Sequence, residues 1–252
     1  MLTDADLYLR GAETLLASWE EYARGASGAA VQRHPGVATA VFPSEPERSV
    51  YNNALLDRDL DAAERAHAIE AMEAAYARAR VTRFAAWVHE SDEAMRTDLA
   101  RRGYSLDEST RAMGMAVEDV RLPRPEIELG SPDWFEYLRI VGVPSDFLSR
   151  ADPAAFHVRV ARLDGENVAT AMAFDLGSDC GIYNVGTLWH ARRRGLGTAL
   201  TALHVHDALA RGCLTASLQS TVMAERVYAA VGFRDLGRIL EFVPEGRTTS
   251  AQ

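Results

Sequence analysis

Two stretches of the chain repeat one cadence of strand, helix, strand, helix, strand. In the first, VYNNALL reads as extended and a helix covers roughly 59–79. TRFAAWV is extended again, a helix capped by Ser91 follows, and a last strand runs up to MGMAV. In the second, GIYNVGTL leads into a helix that runs to about Ala210 and is closed by Gly212. LTASLQS is extended, a helix over 222–231 stops at Gly232, and RILEFV ends the pattern before a polar tail. Tyr51-Asn52 matches Tyr183-Asn184, and Gly103-Tyr104 matches Gly232-Phe233. Tyr51 precedes Gly103 by 52 residues and Tyr183 precedes Gly232 by 49. Self-similarity at such spacing points to a duplicated αβ unit. Between the copies, Pro123, Pro125 and Pro132 interrupt any helix across EDVRLPRPEIELGSPD, 118–133. The expected domains are therefore 1–118 and 124–252.

Within the second half, DWFEYLRIVG follows Pro132 with a helical pattern. FHVRVARL and NVATAMAFDL alternate around Asp164-Gly165, the signature of a hairpin. In the first half, the helix after Ser91 carries Asp92 and Glu93 in its first turn and Arg101 and Arg102 in its last. That order suits the helix dipole, and Gly103 supplies the stop.

Composition narrows the function. At 48% hydrophobic residues the chain can bury a full core. No long uncharged apolar run is present, so membrane insertion is not expected. The N-terminal MLTDADLYLRGAETLL is acidic and amphipathic and lacks the order of a signal peptide, which points to the cytoplasm. A net charge of −9 argues against nucleic acid, whose binders present broadly basic surfaces. Cys180 and Cys213 have neither metal-ligand nor redox spacing and read as reduced thiols. His204 and His206 sit two apart on a helix and face different sides, so no metal site is expected there. All 27 basic residues are arginine, so the protein has no lysine of its own to modify.

The halves differ at the turn into their long helix. In the first it reads DRDLDAAERA, acidic and without glycine; in the second it reads ARRRGLGTAL, 191–200. The first N–H groups of a helix have no partner inside it and carry partial positive charge. An anion placed there meets several donors at once. Glycine at 195 and 197 permits close approach, and the arginines add fork-shaped donors suited to phosphate oxygens. Other phosphate loops fit worse. GxxxxGK[ST] is absent, and Leu200 stands where a dinucleotide fingerprint needs its third glycine.

The run Arg192-x-x-Gly195-x-Gly197, after a strand and opening a helix, resembles the pyrophosphate loop of the GCN5-related N-acetyltransferases. Ala224-x-x-Val227-Tyr228-x-x-x-Gly232-Phe233 is similar to their second signature, and the 31 residues from Gly197 to Tyr228 also suit the family. The resemblance covers about 125–243. It implies an α/β acyltransferase fold with a mixed, mostly antiparallel sheet flanked by helices, in two tandem halves, the first degenerate.

The resemblance also implies roles. The pyrophosphate of acetyl-CoA, a co-substrate, would sit on backbone N–H groups of Arg193, Arg194, Gly195, Leu196, Gly197 and Thr198, with Arg192 beside them. Its pantetheine arm would pair with Val185, Gly186 and Thr187, where an N–H faces the thioester oxygen. Tyr228 would protonate the leaving thiolate. Its counterpart in the first half, counted back from Gly103, is Leu99, so no chemistry is assigned to that half.

Three departures from the family pattern stand out. Trp189 replaces a proline after the strand. Thr221 replaces an asparagine seven residues before the tyrosine, yet still offers a hydroxyl to pantetheine. No glutamate base appears in GIYNVGTL or LTASLQS, which leaves ordered water or Asp146 to take the amine's proton. The expected reaction moves an acetyl group from acetyl-CoA to an amine of a small molecule or peptide, in a monomer or homodimer. The alternatives are a CoA-binding scaffold without turnover and an acyltransferase for longer chains.

Overall fold

The computed structural model describes residues 2–47, 51–142 and 150–245. Its contacts divide into two compact units. Unit 1 comprises Met1–Glu21 with Arg111–Leu236, and unit 2 comprises Tyr22–Thr110 with Gly237–Gln252. This differs from the expected cut at 118–124, which falls inside unit 1. Strand pairing supplies the reason. Each unit takes one strand from the other half of the sequence.

In unit 2, β1 (Ala30–His34) and β2 (Val37–Val41) form a hairpin whose turn contains Gly36 at φ 81°. β2 pairs antiparallel with β3 (Asn53–Leu56), and β3 runs parallel to β4 (Ala85–His89) through Asn53–Leu55. The strand beyond β4 belongs to the far end of the chain. β10 (Arg234–Pro244) pairs with it antiparallel, Ile239–Phe242 against Ala86–His89. Helices α2 (Ala62–Ala79) and α3 (Glu93–Arg101) cover one sheet face, where Ile69, Met72, Tyr76, Met95 and Leu99 join Leu56, Ala86, Val88, Leu240 and Phe242 in one core. Asp92, not Ser91, caps α3, accepting from Met95 N–H at 2.9 Å. The Ser91 hydroxyl lies 2.8 Å from His89 Nδ1 instead.

Unit 1 repeats the same order with its own elements. β6 (His157–Leu163) and β7 (Glu166–Leu176) form the expected hairpin, with Asp164 and Gly165 both at positive φ. β7 pairs antiparallel with β8 (Asp179–Thr187), and β8 runs parallel to β9 (Thr215–Ser220). β5 (Tyr104–Ala116) lends Arg111–Ala116 to the far side of β9, antiparallel. Helices α5 (Leu196–Arg211) and α6 (Glu225–Val231) share a core with β5, β8 and β9, built around Met113, Met115, Ile182, Val205, Leu218 and Val231. Gly212 at φ 90° closes α5 as expected.

The N-terminal helix α1 (Asp4–Arg24) also packs in unit 1 up to Glu21. Two glycines let it approach the sheet. A Cβ on Gly11 would stand 2.8 Å from that of Ser217, and one on Gly114 would stand 3.2 Å from that of Leu7. Burial of Leu7, Leu15 and Leu16 then holds it there. α4 (Trp134–Val141), capped by Asp133, packs against β6, β7 and β8.

Candidate functional site

The site begins where β8 and β9 part. Their parallel register covers only Asp179, Cys180 and Gly181 against Thr215, Ala216 and Ser217. Asp179 pins this joint. Its buried carboxylate accepts the Thr215 hydroxyl at 2.6 Å and the Ser217 hydroxyl at 2.8 Å. Beyond Gly181, β8 runs on to Thr187 with its other edge still on β7, while β9 stays with β5. Among the described residues, the edge of β8 from Ile182 to Thr187 is thus not paired with β9, and such an edge suits an added strand. Val185, Gly186 and Thr187 all lie on it.

At the end of β8 the chain makes a single 3-10 turn over Trp189–Ala191 and enters α5. Arg193 at φ 62° and Gly195 at φ 77° both take the left-handed conformation, tightening the turn. Gly195 is the N-cap and carries no side chain to satisfy the first turn of the helix. The first helical bond made here is Ala199 N–H to Gly195 C=O at 2.9 Å. The N–H groups of Leu196, Gly197 and Thr198 precede it and are the ones a helix leaves over. Nothing lies within 4 Å of where a Gly195 Cβ would be, so the approach to these donors is open. Gly197 faces Val185, whose Cγ1 would be 3.6 Å from an added Cβ. Loop and strand edge therefore adjoin.

The three arginines are not alike. Arg192 Nε donates to the Thr187 carbonyl at 3.1 Å, and its guanidinium lies 5.4 Å over the Trp189 ring. It ties the loop to the end of β8. Arg193 and Arg194 are exposed beside the helix start.

Tyr228 projects from α6 into the core shared by α5, β8 and β9, edge-on to Phe233 at 6.2 Å. Burial alone pushes its hydroxyl up to about 12, so it holds its proton at neutral pH. Thr221 is exposed and directly follows β9, and its carbonyl accepts Ala224 N–H in the turn that starts α6. Asp146 lies outside the described residues.

Residues 115–233 match the family model described as "Acetyltransferase (GNAT) family". The chain carries a GNAT acetyltransferase domain. The match falls wholly within unit 1. Among solved structures, the chain is similar to a GCN5-related N-acetyltransferase from Kribbella flavida, with a TM-score of 0.71, 20% identity, and 94% of this chain covering 95% of that one. A GCN5-related N-acetyltransferase from Sphaerobacter thermophilus matches at TM-score 0.60 and 17% identity, over 92% of this chain and 84% of the other. A tandem GNAT protein from the clavulanic acid biosynthesis pathway matches at 0.59 and 15%, over 90% and 86%. These identities speak for the fold alone. No match was found among curated proteins.

Val185 on the β8 edge packs against the core cluster of the GNAT domain that holds Tyr228, and the loop at 192–198 joins β8 to α5; α5 and β9 separate that loop from the α6 tyrosine along the chain. Among the described residues, no group of three His, Cys, Asp or Glu could hold a metal ion. His204 is fully buried, and burial takes its imidazole down to about 4, so it packs as a neutral core residue. His206 lies 2.9 Å from the Leu122 carbonyl.

Sequence reasoning passed over one feature of the GNAT domain. Asn184 sits on β8 at φ 51° with its amide on Tyr137. The available signal was an asparagine in mid-strand, the residue besides glycine that best tolerates left-handed backbone.

Proposed function

We propose that the GNAT domain binds acetyl-CoA and passes the acetyl group directly to an amine of a small molecule or peptide. The observation that carries this reading is an uncapped helix start opening beside an unpaired strand edge. The diphosphate would lie on the N–H groups of Leu196, Gly197 and Thr198, with Arg193 and Arg194 adding charge. The pantetheine arm would extend β8 along Val185–Thr187, and Thr221 would meet it from the end of β9.

The amine nitrogen attacks the thioester carbonyl carbon, and charge gathers on the carbonyl oxygen. A backbone N–H of β8 stabilises that oxygen. The C–S bond then breaks as Tyr228 gives its proton to the departing sulfur. The acceptor attacks as a neutral amine, its ammonium proton having gone to solvent, and the second proton that nitrogen sheds on forming the amide returns through solvent to the Tyr228 phenolate. Positioning of both substrates supplies much of the rate.

We read the first half of the sequence as a diverged copy without an acyl-CoA site. It presents an acidic turn where the GNAT domain has RRRGLGT, and Leu99 where that domain has Tyr228. The buried free thiols Cys180 and Cys213 support a reducing, cytoplasmic setting. Among the described residues, no helix is long and apolar enough to cross a membrane.

The test is a thermal-shift titration with coenzyme A, followed by a panel of amines with acetyl-CoA, read by release of free thiol. A ligand-dependent rise in Tm and acceptor-dependent thiol release are expected. Turnover with long acyl-CoA but not acetyl-CoA would correct the donor. Binding of coenzyme A without turnover on any amine would favour a scaffold.

A further inference from the structure

The β8 strand carries a bulge in the middle of the proposed thioester site. Opposite β7, Met172 pairs with Tyr183 and Thr170 pairs with Gly186. Asn184 and Val185 therefore share the space facing Ala171. A bulge bends its strand and re-aims the groups that follow it. Here those groups are the N–H donors of Val185–Thr187.

The bulge depends on Asn184 at φ 51°. For a residue with a Cβ this conformation is uncommon and persists where the surrounding structure holds it. It is held. Asn184 Nδ2 donates to the Tyr137 hydroxyl at 2.6 Å. Tyr137 is fully buried on α4, its ring stacked on Trp134 at 4.9 Å, and Trp134 is stacked in turn on Phe156 at 5.6 Å. One helical turn later, Val141 Cγ1 lies 3.3 Å from where a Gly186 Cβ would be. Residues 137 and 141 share one face of α4, and they touch β8 on either side of Val185. At this point β8 has left β9, and β7, α4 and α5 pack against it.

We infer that Tyr137 and Asn184 form a positioning pair that locks the β8 bulge and so aims its N–H at the thioester oxygen. The inference rests on the acyl-CoA reading above. Neither side chain reacts. Their contribution is geometric, and a misplacement of about 1 Å at such a site costs on the order of a hundredfold in rate.

The experiment is difference infrared spectroscopy of acetyl-CoA carrying a carbonyl 13C label, bound to the full chain. The parent protein should shift the thioester carbonyl stretch to lower frequency. Tyr137→Phe removes one hydroxyl, and Asn184→Gly removes the amide while keeping the left-handed backbone accessible. Each should lose at least about half of that shift, with coenzyme A affinity kept within roughly twofold, and the double variant should be no worse than either single one. A parent that binds no acetyl-CoA overturns the acyl-CoA reading and the pair with it. A parent that shifts the stretch, with variants that shift it equally, overturns the pair alone. Loss of coenzyme A affinity and Tm together in both variants would reduce it to a merely structural contact and also overturn it.

Discussion

Helices α2 and α5 follow equivalent strands in the two repeats and begin with opposite chemistry. At α2, the Asp61 carboxylate accepts from Ala63 N–H and Glu64 N–H, and Glu64 reaches back to Asp61 N–H at 2.8 Å. This capping box claims the free donors with the protein's own anions. At α5, Gly195 leaves the same donors unclaimed. The strands differ in step. β3 and β8 each pair in parallel over three residues, but β3 ends one residue later while β8 runs six residues further, to Thr187. One repeat closes its helix start with its own carboxylates; the other leaves it open. Two like folds thus differ in chemistry at the single residue that opens the helix.

The largest effect should come from giving α5 the cap of α2. Gly195→Asp places a carboxylate among the donors proposed for the diphosphate. Coenzyme A affinity should fall by roughly a hundredfold or more in calorimetry. Stability should move by only about 1 kcal/mol, because aspartate tolerates left-handed backbone and caps helices. Unchanged affinity would mean that the anion binds elsewhere.

Next in size is the difference between Tyr228 and Leu99. Tyr228→Phe should lower kcat about a hundredfold with coenzyme A affinity intact. Equal turnover in the variant would remove the tyrosine from the reaction.

Smaller still is the reverse graft. Asp61→Ala should cost about 1 kcal/mol of stability in denaturant titration and leave coenzyme A binding untouched. A change in binding would give the first repeat a part in the site.

The smallest effect is a matter of pH. The folded state keeps Tyr228 protonated up to about 12, whereas an unfolded tyrosine ionises near 10. Its contribution to stability is thus complete below pH 10 and is lost as pH rises from 10 towards 12. Tyr76 and Tyr183, raised by burial in the same direction, add to that loss. Tyr228→Phe should soften the alkaline fall in Tm, and an identical fall in both proteins would contradict it.

Local signals made most elements readable from sequence. Asp164-Gly165, Gly212 and Gly232 mark turns and stops that depend on nearby residues alone, and the strands and helices of the second half lie where alternation and capping place them. At the start of α3, Ser91 and Asp92 are both good caps, and the bond from Met95 N–H to Asp92 decides between them. The β1–β2 hairpin carries little local signal, its turn being only Pro35-Gly36 between short runs. Tyr51-Asn52 and Tyr183-Asn184 match as letters but not as structure. Asn52 precedes β3 and uses its amide to bind Phe42 N–H and the Glu45 carbonyl, whereas Asn184 lies within β8. Docking of α1 through Gly11 and the exchange of β5 and β10 are long-range pairings. No local pattern encodes them, and each compact unit is accordingly discontinuous in sequence.

On the function proposed above, the α5 start receives coenzyme A and the α2 start does not. Isothermal titration of coenzyme A into the protein should saturate at one molecule per chain, with affinity lowered roughly a hundredfold or more by Gly195→Asp and unaffected by Asp61→Ala. No heat at millimolar coenzyme A, or two molecules bound per chain, would contradict it.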